Sequence, residues 1–397
     1  MHYIVIGNGV AGATAALNIR KTDAEGDITV LTDESRPFYS RIRLIRYLAG
    51  EVDEKKLVIY KGDWYERNRI DLLLESPVDS IDTESREVVI TSGRTMKYDR
   101  LLLATGAVSF VPPVPGSRKK GVFTLRTLKD AAAIRDYAVN AGRVVLIGGG
   151  VLGLEAGNSL RKTGHPVSVV EFSPRLLPRQ MDAEGAVILR KQMEDMGFTF
   201  YLGAKSKEIT GGDKVEGLLL EDGREIRCDM IIISAGIRPN AGLAEKLGLK
   251  INKGLSVNDG METAIPGIYA AGDLIEHRGS FYGIWPASEK QGETAGINMA
   301  GGDAVYNGTV PSNILKIAGI DLCAAGDIDP EGRFESIVSK DEEKYIYRKL
   351  VISGNNITGC ILYGDISGRK RIIRAIDEKR DIGGIKTELS RWNTEVL

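Results

Sequence analysis

The chain opens on an unbroken apolar run, Tyr3-Ile4-Val5-Ile6, followed at once by Gly7-Asn8-Gly9-Val10-Ala11-Gly12 and an alanine-rich stretch to Arg20. A short β-branched run without polar alternation predicts a strand buried on both faces, as in a parallel sheet. The alanine-rich stretch predicts a helix, and residues 28–31 a second strand that ends at Thr32-Asp33-Glu34. The same order returns inside the chain. Residues 144–147 read as a strand, Gly148-Gly149-Gly150-Val151-Leu152-Gly153 as a turn, 154–163 as a helix, and 167–170 as a strand ending at Glu171. Residues 101–106 and 230–236 are predicted as further buried strands. Residues 75–98 read as short strands with turns, and the cluster Pro112 to Pro115 as a linker. Beyond 310 the pattern becomes antiparallel. Residues 345–352 and 357–363 around Gly354-Asn355-Asn356 predict a hairpin, and 369–381 a charge-rich helix. From Lys386 onward little pattern remains, and the segment is read as a mobile tail.

The expected fold is α/β: two doubly wound (Rossmann-like) dinucleotide-binding domains plus a small α+β C-terminal domain. The expected boundaries are 1–111 with 243–310, 112–242, and 311–397.

Composition narrows the function. Lys plus Arg total 53 against 54 Asp plus Glu, a net charge of −1, which lacks the basic excess a general nucleic-acid binder needs. Apolar residues at 43% exclude disorder as the main state. The three cysteines (Cys228, Cys323, Cys360) form no CxxC pair, and only three histidines occur. No metal centre, iron–sulfur cluster or disulfide framework is therefore expected. No run of about 18 apolar residues suggests a membrane span. The first strand begins too early for a signal peptide, so a cytoplasmic protein is expected.

A lone GxGxxG is weak evidence. Here each copy follows an apolar strand, opens a helix, and is followed by an acid at the end of the next strand. In this arrangement Gly7 permits the turn, Gly9 lets the backbone approach a pyrophosphate, and Gly12 packs helix on strand. The helix N-terminus then offers unpaired N–H groups to the phosphates. Glu34, with Asp33 as its neighbour, is the candidate for the adenosine ribose hydroxyls. Gly148, Gly150 and Gly153 repeat the pattern, with Glu171 as the ribose acid. A carboxylate at that point repels a 2′-phosphate and favours NADH over NADPH. A third signal, Ala270-Ala271-Gly272-Asp273, puts an Asp behind a Gly at a strand end, where it can accept from a sugar-alcohol chain or act as an N-cap.

The order of the Gly7 motif, Ala104-Thr105-Gly106, the Gly148 motif, Ser234-Ala235-Gly236-Ile237-Arg238-Pro239-Asn240 and Ala270-Ala271-Gly272-Asp273 resembles the two-dinucleotide-domain flavoprotein reductases, the pyridine nucleotide-disulfide oxidoreductase superfamily. The resemblance covers residues 1 to about 310. It implies FAD in the first site, a nicotinamide in the second, and an FAD domain split by the inserted NAD domain. Thr105, Gly106, Gly236, Gly272 and Asp273 become cofactor-binding candidates.

Pro37-Phe38-Tyr39-Ser40-Arg41-Ile42-Arg43-Leu44, Gly283-Ile284-Trp285-Pro286-Ala287-Ser288-Glu289-Lys290-Gln291-Gly292 and Leu315-Lys316-Ile317-Ala318-Gly319-Ile320 resemble the branch of NADH:rubredoxin reductases and the flavin module of assimilatory nitrite reductases. Residues 285–300 read as a helix with Pro286 in its first turn, where Pro is tolerated, and that branch implies that its N-terminus points toward the flavin pyrimidine ring. It implies Glu155 near the nicotinamide, and Arg46 where protein-reducing relatives carry a Lys near flavin N5, within reach of Glu155. Arg41 is a candidate for FAD itself.

The chain departs from the disulfide reductases. It has no CxxxxC pair in the first long helix and no cysteine after Tyr39-Ser40, so no thiol can relay electrons, and the cysteines read as buried structural thiols. The expected activity is passage of electrons from NADH through FAD to an acidic redox protein such as rubredoxin. Arg41, Arg43, Arg46 and the run Arg369, Lys370, Arg371, Arg374 could steer that partner. The alternatives are a hydrogen peroxide-forming NADH oxidase and an electron-entry subunit or sensor within a larger complex. A homodimer is possible on this reading.

Overall fold

The computed structural model of the chain describes residues 1–309 and 312–397, so the expected boundary between 310 and 311 lies outside the described residues. The chain forms two compact units: Met1–Arg43, Val52–Val108 and Ile237–Thr309 make the first, and Leu44–Glu51, Ser109–Gly236 and Val310–Leu397 the second.

The first unit is built on a five-stranded parallel sheet. In spatial order its strands are Ile268–Ala270, Arg100–Leu103, His2–Ile6, Asp27–Leu31 and Ile70–Leu73. Tyr3, Ile4 and Val5 are wholly buried, because a central parallel strand is covered on both faces and cannot afford polar alternation. Strand order reverses beside His2–Ile6, and the Gly7 loop leaves the sheet at that switch point. The helix Val10–Thr22 follows. It lies against the helix Trp285–Met299 so closely that a Cβ at Gly292 or Gly296 would stand 2.4 Å from the Ala11 carbonyl oxygen or 2.5 Å from that of Ala15. Residues 75–98, read as short strands, hold the antiparallel strands Val78–Asp82, Glu87–Ile90 and Thr95–Lys97.

The second unit repeats the plan. Its parallel sheet runs Phe198–Leu202, Val167–Glu171, Val144–Ile147, Met230–Ile233 and Val122–Thr124. The strand from Met230 ends three residues earlier than expected, since Ser234 to Gly236 already belong to the turn, where Gly236 has φ +106°.

The same unit carries a five-stranded antiparallel sheet, ordered Ser312–Ile317, Ile320–Gly326, Asn356–Tyr363, Ile346–Ser353 and Glu335–Asp341. The expected hairpin is its centre. The charge-rich helix is shorter than predicted, Arg369–Asp377, because Lys379 adopts φ +49° and the Lys379 carbonyl is taken by the Asn356 amide at 2.5 Å. The segment after Lys386 is not a loose tail. It forms the helix Lys386–Ser390 and the turn Thr394–Val396, with Leu389 fully buried in the domain core and Trp392 packed against it. Its order comes from tertiary packing of a few apolar residues, which local pattern does not reveal.

Residues 44–51 cluster with the second unit. The Arg135 guanidinium lies 4.2 Å from the Tyr47 ring centroid, and Ser159 Oγ donates to the Ile45 carbonyl at 3.0 Å. The antiparallel sheet is tied to the helix Ala183–Asp195 through buried polar groups. Tyr347 Oη donates to Asp182 Oδ2 at 2.7 Å, and Lys349 Nζ reaches the same oxygen at 3.0 Å and the Asp329 carbonyl at 3.0 Å. Among the described residues no helix is long and apolar enough to cross a membrane.

Candidate functional site

In the first unit the Gly7 loop is shaped by backbone contacts. Gly7 has φ +111°, and a Cβ there would lie 2.1 Å from the Ala104 carbonyl oxygen, while one at Gly12 would lie 1.9 Å from that of Gly7. Gly9 differs: a Cβ would meet nothing within 4 Å. Two glycines therefore close the loop and the middle one leaves open space at the start of a helix that no side chain caps. The Gly148 loop has the same shape. A Cβ at Gly148 would lie 2.3 Å from the Ser234 carbonyl oxygen and one at Gly153 2.4 Å from that of Gly148, while one at Gly150 would meet nothing within 4 Å. Glycines that pack against neighbouring backbone, beside a glycine open to the helix N-terminus, suit a pyrophosphate group in both loops.

Each loop has its acid. Glu34 receives Arg41 Nη2 on Oε1 at 2.5 Å and the Tyr39 hydroxyl on Oε2, while Asp33 is exposed. Glu171 accepts from Gly149 N at 2.6 Å and Ser173 N at 2.7 Å, which fixes the carboxylate beside the second loop. At the far end of the first sheet, Thr105 Oγ1 donates to the Asn240 carbonyl at 2.8 Å, and Asn240 N donates to Gly106 O at 2.9 Å. These bonds hold the turn after the Arg100–Leu103 strand. Asp273 accepts from Ser288 Oγ at 3.4 Å, and Gly272 N donates to Gln291 Oε1 at 2.9 Å. Gln291 is 2% exposed and fixes the Gly272 turn against the Trp285 helix. Gln291 lies in the motif that begins at Gly283, where the sequence alone gives it no role. Its position one helical turn after Ser288 is the signal that it shares Ser288's face. Trp285 is half-buried at the start of its helix, with its ring 5.8 Å from that of Phe38.

One expected pairing is absent. Arg46 does not meet Glu155. Its Nε lies 3.3 Å from Glu51 Oε2, and Glu51 also binds Lys162 Nζ at 3.0 Å. The local turn wins because Glu51 lies only five residues from Arg46. Glu155 Oε1 instead accepts from the Ala318 amide at 2.5 Å. Of the basic run in the C-terminal helix, Arg371 and Arg374 pair with Glu395 and Glu378.

Burial pushes the Glu155 carboxyl above its usual range, against the opposing pull of the Ala318 N–H and Lys162. A raised acid pKa means that the ionised form weakens the fold. That cost is present at pH above the raised value and fades as pH falls through it toward the unfolded value. Glu155→Gln keeps an oxygen for Ala318 and removes the titration. The variant is expected to melt higher than the parent at about pH 8, and the gain to shrink toward about pH 4. A gain that is the same at both pH values would refute burial as the cause.

Cys228, Cys323 and Cys360 are all buried and unpaired by disulfides. Burial pushes the Cys228 thiol up to about 12. The hydrogen-bonded Cys323 thiol and burial push Cys360 up as well.

Two glycine loops on doubly wound sheets, each with an acid at the neighbouring strand end, followed by an antiparallel C-terminal domain, define the class of two-dinucleotide reductases. The chain belongs to the pyridine nucleotide-disulphide oxidoreductase family, whose model matches residues 1–292, and residues 311–380 match the rubredoxin NAD+ reductase C-terminal domain. It is 39% identical over 383 residues to a nitrite reductase [NAD(P)H] of Bacillus subtilis, covering 96% of this chain and 47% of the relative. It is 32% identical over 385 residues to an NADH-rubredoxin oxidoreductase of Clostridium acetobutylicum, covering 97% and 96%. The crystal structure of NADH:rubredoxin oxidoreductase from Clostridium acetobutylicum superposes with a TM-score of 0.84 at 30% identity, over 99% of each chain. The chain spans about half the length of its Bacillus subtilis relatives, 47% of the nitrite reductase and 50% of an assimilatory nitrate reductase electron transfer subunit.

Proposed function

We propose that the chain is an FAD-dependent NADH oxidoreductase that passes electrons to a small acidic redox protein of the rubredoxin kind. The observation that carries the reading is the pair of equivalent loops in which Gly9 and Gly150 alone stand clear of protein. In this reading residues 1–111 with 243–310 bind FAD, 112–242 bind NADH, and 311–397 form the C-terminal domain. Bound FAD supplies the chemistry: it takes a hydride from NADH and gives up the two electrons one at a time. The balance is one NADH and two oxidised one-electron acceptors giving NAD+, a proton and two reduced acceptors.

The chain's own residues do the holding. Gly7, Gly9 and Gly12 seat the FAD pyrophosphate, Glu34 the adenosine ribose with Arg41 and Asp33 beside it, and Thr105, Gly106, Gly272 and Asp273 the ribityl side. Trp285 opens the helix whose positive end would favour a reduced, anionic flavin held there. Gly148, Gly150, Gly153 and Gly236 seat NADH, and Glu171 prefers a ribose hydroxyl to a 2′-phosphate. Glu155 is the residue that would stand near the nicotinamide. Arg46, paired with Glu51, belongs to a surface that meets the acceptor rather than to a pair with Glu155.

End-to-end correspondence with the Clostridium enzyme and the C-terminal domain match support an acceptor of this kind. The half-length correspondence with the nitrite reductase supports a second reading, a flavin electron-entry module for a larger complex. The test is an anaerobic stopped-flow mix of the FAD-loaded chain with NADH, then with oxidised rubredoxin. Fast bleaching of both chromophores is expected. Fast flavin bleaching with an idle rubredoxin would favour the entry module, and rapid turnover in air with peroxide release would favour an oxidase. No flavin bleaching would remove NADH as donor.

A further inference from the structure

We infer that the hairpin turn Ala318–Gly319 of the C-terminal domain positions Glu155 for hydride transfer: the Ala318 N–H holds one carboxylate oxygen and leaves the other for the bound dinucleotide. The inference rests on the reading that Glu155 stands near the nicotinamide.

Glu155 belongs to the helix Val151–Lys162, which opens at Gly150. It follows Leu152 by three residues, one helical turn on and along the same face. Leu152 is 38% exposed, so this face is open beside the second glycine loop. The carboxylate is held by one oxygen only. Oε1 accepts from the Ala318 N–H at 2.5 Å. Oε2 has no hydrogen-bond partner among the described residues, and it is not one of the polar atoms sealed from solvent. It is therefore open to a further donor. Lys162 of the same helix attracts the carboxylate and Glu51 repels it, while Glu51 is itself paired with Lys162 and Arg46. Among the described residues, the Ala318 N–H is thus the one hydrogen bond that fixes where the carboxylate points.

The donor comes from a strained turn. The strands Ser312–Ile317 and Ile320–Gly326 are joined by two residues, with Ile317 opposite Ile320. Ala318 has φ +53° and Gly319 φ +90°. A turn with two positive φ values ordinarily begins with Asn, Asp or Gly. Alanine is strained there, because its Cβ crowds the following carbonyl. The first N–H of such a turn lies outside the ladder between the strands, and Ala318 is only 8% exposed, so water does not serve it. Glu155 does. Strain kept at a buried position, against a carboxylate with one free oxygen, marks Ala318 as a positioning residue.

The test replaces the Ile317–Ala318 peptide by an ester, using the α-hydroxy analogue of alanine, which removes the N–H and keeps every side chain. The FAD-loaded full chain is titrated by calorimetry at about pH 8 with NAD+ and with ADP-ribose, which lacks the nicotinamide. The ester is expected to weaken NAD+ about fivefold, to leave ADP-ribose within about twofold, and to slow the limiting rate of flavin bleaching by NADH about tenfold. In a Glu155→Ala background the ester is expected to change NAD+ binding by less than about twofold. Ala318→Gly keeps the N–H and suits φ +53°, so it is expected to bind as the parent does. If the ester chain does not fold, a glycine inserted between Ala318 and Gly319, which lengthens the turn and moves the N–H, carries the same expectations. An ester chain that melts lower but keeps the parent's NAD+ affinity and bleaching rate overturns the inference, since the bond is then structural alone. Equal losses for NAD+ and ADP-ribose, or a loss that persists in the Glu155→Ala background, overturn it as well. Glu155→Ala with the parent's NAD+ affinity and bleaching rate overturns the reading of Glu155 and the inference with it. A weakened Glu155→Ala beside an unaffected ester chain overturns the inference alone.

Discussion

Gly12→Ala is expected to give a chain that retains no FAD and is less stable by more than ~3 kcal/mol. The added Cβ would stand 1.9 Å from the Gly7 carbonyl oxygen and 3.2 Å from Val5 Cγ1. Neither neighbour is a flexible tip. One is the backbone of the loop and the other a wholly buried strand residue, so relief requires the first helix to lift from the sheet. Gly9→Ala separates folding from binding. Gly9 has φ −91°, which any residue adopts, and its Cβ would meet nothing within 4 Å. Its apo stability is expected to stay within ~1 kcal/mol of the parent, while FAD affinity falls at least about tenfold as the methyl enters the proposed pyrophosphate space. Thermal unfolding without FAD and flavin absorbance after reconstitution read the two effects. A Gly12→Ala chain as stable as the parent would refute the packing, and a Gly9→Ala chain with full affinity would move the pyrophosphate elsewhere.

Lys349→Met is expected to destabilise the second unit by ~3–5 kcal/mol, the usual result of breaking a buried ion pair from one side. The Lys349 side chain is 5% exposed and that of Asp182 10%. Without the ammonium, Asp182 keeps Tyr347 Oη and the Gly185 N–H, but its charge is no longer compensated. Asp182→Asn alone strands the Lys349 charge in the same way, although Asn can still cap the helix Ala183–Asp195. The double variant leaves neither charge of this pair buried, so it is expected to cost less than the two singles together by at least ~1 kcal/mol. Urea unfolding of the four proteins closes the cycle. Single variants that each cost under ~1 kcal/mol would show that the cluster is fully hydrated in solution.

The legible parts of the molecule were those written in adjacent residues. An apolar run, a glycine turn and an acid one strand later are local signals, and both loops stand where the pattern put them. The helix from Trp285, with Pro286 in its first turn, was readable for the same reason. What was missed depends on distant partners. Gln291 is defined by Gly272, nineteen positions away in sequence. Arg46 chose Glu51 over Glu155 through a five-residue turn that charge spacing alone does not rank. The ordered segment after Lys386 depends on Leu389 finding a core assembled from strands that begin more than sixty residues earlier. The early end of the Arg369 helix follows from a side chain on a neighbouring strand taking the Lys379 carbonyl.

The burial of all three thiols has a practical consequence for experiments on the acceptor. The folded chain offers alkylating and spin-labelling reagents no accessible sulfur of its own. A single cysteine introduced at an exposed position such as Ile42, 68% exposed between Arg41 and Arg43, would therefore be the sole site of modification. One engineered thiol could carry a photocrosslinker or a paramagnetic tag to map where an acidic protein lands, without first removing the native cysteines.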